Sequence, residues 1–227
     1  LADFCRNYGE PISIPLMLTH NLPLKARQQF FSDINNNVSK PSAAINMAYD
    51  ARNDVAQGMV SFLSQSDTFA EITDFEHNVV PAKSKALSDA TAKFATAEGK
   101  QLEMGDIESI WEAWLCLTQV EAIRHGTSPA DYKRDYLQFH AVMINAFGYA
   151  VQRLMADHSI REITTMVEEL ALNSDSSEME DFFLISCWGG ICANTEKDRP
   201  TIIASVPAQK AAAERLVKVI LAKSLKE

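Results

Sequence analysis

The sequence predicts an all-α fold: a single-domain antiparallel helical bundle of seven or eight helices around a central helical hairpin at about 106–157. Three observations predict it. Apolar residues recur at three- and four-residue spacing through most of the chain, the period of a helix with one buried face. A cap residue followed three positions later by glutamate occurs at Thr68-x-x-Glu71, Ser159-x-x-Glu162 and Ser177-x-x-Glu180, a pattern that starts helices. Only eight of 227 residues are glycine while alanine is abundant, which favours helix over strand and turn.

Taken in order, residues 1–22 read as an irregular N-terminal arm laid across the body, because Pro11, Pro15 and Pro23 push their preceding residues into extended geometry. Residues 23–227 read as one helical domain. A short helix from Pro23 to about Asn35 is expected to turn Phe30 and Phe31 inward. Lys40-Pro41 opens a longer helix to about Gln65, and a third helix runs from Thr68 to about Glu98, kinked by Pro81 near Asn78. Its second half is rich in alanine and thin in large apolar residues, so it lies near the surface or packs closely on a neighbour.

The central hairpin follows. Asp106 is placed as N-cap, and Ile107, Ile110, Trp111, Trp114 and Leu117 mark the buried face, with Gly126 ending the helix. Ser128-Pro129 opens the second arm, where Tyr132, Tyr136, Phe139, Met143, Ala146, Ala150 and Leu154 form one stripe. Two of three tryptophans and three of five tyrosines lie here, so the other helices are expected to pack around it. Ser159 caps a helix to about Leu172. The apolar segment Phe182–Ala193 is weakened as a helix by Gly189-Gly190, Thr201–Val206 reads as a short extended piece, and Pro207 starts a last helix with Ala212, Leu216, Val219 and Ile220 inside.

The formal net charge is −9, with no basic run, and on that ground neither nucleic acid nor an anionic membrane surface is expected as a partner. No apolar run approaches the roughly 20 residues of a membrane span. The non-Met start and the even count of four cysteines favour a secreted or lumenal location; Cys187 and Cys192, joined by a glycine turn, are then the pair expected to bridge.

Residues that carry chemistry are few. The histidines form no HExxH or Glu-x-x-His pattern, so no metal site and no cofactor are expected, and Glu121 with His125 reads as a solvated pair. The acidic run from Asn173 to Asp181 lacks the glycine and glutamate of a calcium loop. Cys116 and His140 fall at similar heights if the hairpin closes, which makes them the only candidate catalytic pair, a thiolate and its base. Both sit mid-helix in this reading, away from any oxyanion donors. The leading function is therefore a non-catalytic binding or interaction protein, subunit or adaptor, with a protein partner docking on Phe182, Phe183, Trp188 and Ile191. The alternative is a carrier or sensor for a small apolar ligand, lined by methionines and aromatics of the hairpin. A Cys116–His140 enzyme comes third.

Overall fold

In the computed structural model, residues 20–38, 58, 84–95, 102–117, 128–172, 182–196 and 199–224 are described. They form seven α-helices: α1 Leu24–Val38, α2 Ser84–Phe94, α3 Met104–Cys116, α4 Pro129–Asp135, α5 Ala141–Leu154, α6 Ile160–Leu172 and α7 Val206–Ser224. One 3-10 turn, Ile185–Trp188, and a two-stranded antiparallel sheet, β1 Ala193–Asn194 with β2 Thr201–Ile202, complete them. The fold is all-α, as predicted. Residues 1–19 of the N-terminal arm, Cys5 among them, the Pro81 kink, Gly126, the Glu121–His125 pair and the acidic run from Asn173 to Asp181 fall outside the described residues.

Helix α5 is the centre. From Val142 to Gly148 every residue is buried, and α5 packs on both α2 and α7 while α6 packs on α3 and α7. The aromatic residues of the predicted hairpin meet as expected: Trp114 stacks on Phe147 at 4.5 Å between ring centroids, and Trp111 lies 5.7 Å from the same ring. Trp111, Trp114, Phe139 and Met143 are all buried. These side chains, assigned by the carrier reading to the lining of a cavity, belong to the one buried core cluster. The indole N–H of Trp111 donates to the Thr91 hydroxyl at 2.9 Å, which donates in turn to the Leu87 carbonyl at 2.8 Å and so ties α3 to α2.

The alanine-rich helix α2 takes the close-packed option. A Cβ on Gly148 would lie 2.6 Å from the Ala90 carbonyl oxygen, so α5 and α2 touch backbone to backbone there. Ala86, Leu87, Ala90 and Phe94 are all buried against it. The Ser159 box forms as read: Glu162 accepts from the Ser159 backbone N–H at 2.7 Å, and the Glu162 N–H donates to the Ser159 hydroxyl at 3.3 Å.

Four expectations are corrected. The second arm of the hairpin is not one helix; it breaks between α4 and α5, where the Leu137 N–H donates to the Phe183 carbonyl at 2.9 Å and Tyr136 bridges Leu184. Tyr136 is extended, so the backbone exchanges helical bonds for a pairing with the later segment. Helix α3 begins three residues earlier than expected, with Glu103 as N-cap and Asp106 inside the first turn. Phe30 and Phe31 of α1 are 40% and 49% exposed rather than turned inward. Cys187 and Cys192 are free thiols, not a bridge.

Candidate functional site

The apolar segment expected to face a partner is largely consumed by the chain itself. Phe183 and Trp188 are fully buried at 0% exposure, and Phe182 and Ile191 pack half-buried on the same core. Phe182, Phe183 and Trp188 meet edge to face, with centroids 4.9 and 5.2 Å from Phe182, and the Trp188 indole donates to the Phe182 carbonyl at 2.6 Å. Trp188 is thus an internal anchor and not an exposed one. Arg215 of α7 covers the cluster. Its guanidinium lies 4.4 Å from the Trp188 centroid and 5.2 Å from that of Phe182, and it donates to the Cys187 carbonyl. Gly190, at φ +75°, makes the turn that lets its N–H reach the Ala193 carbonyl. Arg215 escaped the sequence reading because an arginine on an amphipathic helix carries no sign of the aromatic rings brought to it from a distant segment.

Among the described residues no hydrogen bond joins Cys116 to His140. Cys116 ends α3 and is exposed; burial and the carboxylates of Glu168 and Glu112 push its thiol up, away from the thiolate. His140 is the N-cap of α5, not a mid-helix residue. Its Nε2 lies 2.7 Å from the Lys133 carbonyl, which accepts only, so the neutral ring carries its proton on that nitrogen. Burial pulls its pKa down. The charges acting on Cys116 do not include His140. A raised thiol beside two carboxylates is the reverse of an activated nucleophile.

A different constellation lies along the groove where α5 is flanked by α2 and α7. Asn145, Tyr149 and Arg153 sit at four-residue steps on α5, and so share one stripe of an otherwise apolar helix. Lys93 of α2 places its ammonium 5.0 Å from the Tyr149 centroid, and Lys210 of α7 places its own 5.7 Å from it. Lys93 also donates to the Asn145 side-chain oxygen and, at 2.8 Å, to the Asp89 carbonyl. Its pKa is lowered by burial, opposed by Asp89 and assisted by Lys85. Lys85 pairs with Asp89, and Arg153 stands 3.9 Å from Glu214. Lys210 is exposed and Tyr149 half-buried. The signal was present locally: among its charged residues α7 carries Lys210, Arg215, Lys218 and Lys223 against Glu214 alone. A charge count over the whole chain hides this.

Among the described residues no group of three or more His, Cys, Asp or Glu is placed to hold a metal ion, and no helix is long and apolar enough to cross a membrane.

A family model described as DndB, DNA-sulfur modification-associated, matches residues 9–181. No curated protein and no solved structure matches the chain. The family description overturns the expectation that nucleic acid plays no part. That expectation rested on a net charge of −9, which averages over the surface and is blind to a local excess of cations. With most of its length inside the match, the chain belongs to the DndB family of DNA-sulfur modification-associated proteins.

Proposed function

We propose that this protein is a non-catalytic helical component of a DNA-sulfur modification system, one that works by binding where DNA is handled rather than by turning over a substrate. The family match carries the association with DNA. The non-catalytic part is supported by the state of the candidate nucleophile. The Cys116 thiol is raised by burial, Glu168 and Glu112, and the Nε2 of His140 is committed to the Lys133 carbonyl. Neither residue meets the requirements of nucleophilic catalysis.

Complementation tests the reading. In cells that carry the modification system and lack this gene, the sulfur content of DNA is measured by nuclease digestion and mass spectrometry. The gene is then restored as wild type, Cys116→Ser or His140→Gln. Sulfur content is expected to change on loss of the gene and to return fully with all three forms. A soluble, folded Cys116→Ser protein that fails to restore it would establish a catalytic thiol and end the binding reading.

A further inference from the structure

We propose that the groove carrying Lys93, Tyr149 and Lys210 is a phosphate-contacting surface for duplex DNA; this rests on the reading that the protein works where DNA is handled. Three features of the groove support it. The first is charge without a direct carboxylate partner. Lys85 is paired with Asp89 and Arg153 stands beside Glu214, but among the described residues Lys93 and Lys210 make no ion pair. The acceptors of Lys93 are neutral, an amide oxygen and a backbone carbonyl, and the neighbour of Lys210 is an aromatic ring. A neutral partner orients an ammonium without neutralising it, whereas a carboxylate would do both.

The second feature is convergence. Both ammoniums lie within about 6 Å of one ring centroid, so a single tyrosine is the shared neighbour of a lysine from each flanking helix. Two like charges that share one neighbour favour an anion beside them. The third is placement. Tyr149 is on α5, which is buried along most of its length, and the lysines come from the two helices that pack on it, so the patch is built on regular elements. Lysine contacts to phosphate position a duplex without reading its sequence.

Equilibrium binding to a fluorescein-labelled duplex, read by anisotropy over a range of salt concentrations, tests the proposal. The full chain is compared with Lys210→Gln, with the Lys93→Gln/Lys210→Gln double variant, and with Lys25→Gln on α1 as the charge-matched control. Circular dichroism and denaturant melts confirm that each is folded. The slope of log affinity against log salt is expected to become shallower by about one for Lys210→Gln, and by about two for the double variant. Lys25→Gln should keep the wild-type slope. If the wild type binds with a salt-dependent affinity that both groove variants reproduce, the surface assignment is overturned while the binding role stands. If the double variant does not fold, Lys210→Gln alone decides. Wild-type protein that shows no association with duplex at any salt overturns the surface and the DNA-contacting role together.

Discussion

His140 shows how one residue serves the fold in a way its type does not announce. It caps α5, bonds the Lys133 carbonyl through Nε2, and is held neutral chiefly by burial. A proton added to it would place a positive charge at the positive end of a helix dipole. The sign of the pH effect follows. The folded pKa lies below the unfolded value near 6.5, so the unfolded chain binds the extra proton first as pH falls. The stability tied to His140 is therefore complete above about pH 6.5 and is lost as pH drops below it, towards the folded pKa. Urea melts between pH 5 and 8 should show the midpoint falling on the acid side, and His140→Gln should flatten that fall relative to wild type. An identical acid limb in the variant would show that other groups carry it. The side-chain amide of Gln138, two residues earlier, is buried with no partner for its nitrogen or oxygen among the described residues. This is a cost of breaking α4 from α5 at that point.

At the scale of elements, the contact of α2 with α5 is the most demanding. Gly148 lies against the Ala90 backbone, where a methyl group would sit 2.6 Å from a carbonyl oxygen that no rotamer change can move. Gly148→Ala should therefore destabilise the protein by about 1–3 kcal/mol through overpacking, despite the better helix propensity of alanine. A denaturant melt showing equal or greater stability would contradict the close approach. The helical period placed α3, α6 and α7 and the buried faces of α3 and α5, because a buried stripe leaves its spacing in the sequence. It missed the break at Tyr136–His140, since the apolar stripe runs on through it. The break is made by long-range pairing with Phe183 and Leu184, which local spacing does not record. How deeply the apolar segment is buried was hidden for the same reason. Phe182, Phe183 and Trp188 were identified as an apolar surplus, but the arginine that covers them arrives from α7, and whether a surplus faces a partner or the chain's own core depends on tertiary packing.

The whole molecule is built from two stretches that differ in ancestry signal but share one core. The family match ends at residue 181, yet Phe183 meets the Trp114 ring edge to face at 5.7 Å, Trp188 is buried in the same core, and α7 packs on α5 and α6 with Ala212, Leu216, Val217 and Ile220 buried. The segment beyond the match is thus an integral wall of the core. It also carries Lys210 and Arg215, so the groove and the covered aromatic cluster exist only when that wall is in place. Burying a large apolar side chain stabilises by about 1.5–3 kcal/mol, so the loss of Phe183, Trp188, Leu216, Val217 and Ile220 together removes on the order of 10 kcal/mol. That is comparable with the whole stability of an ordinary domain, about 5–15 kcal/mol. A chain ending at Asp181 should accordingly lose its cooperative urea transition and bind a hydrophobic dye, while the full chain unfolds in one step with the tryptophans shielded. A truncated protein that melts cooperatively at the full chain's midpoint would show that residues up to 181 complete their own core, and that α7 merely rests on it.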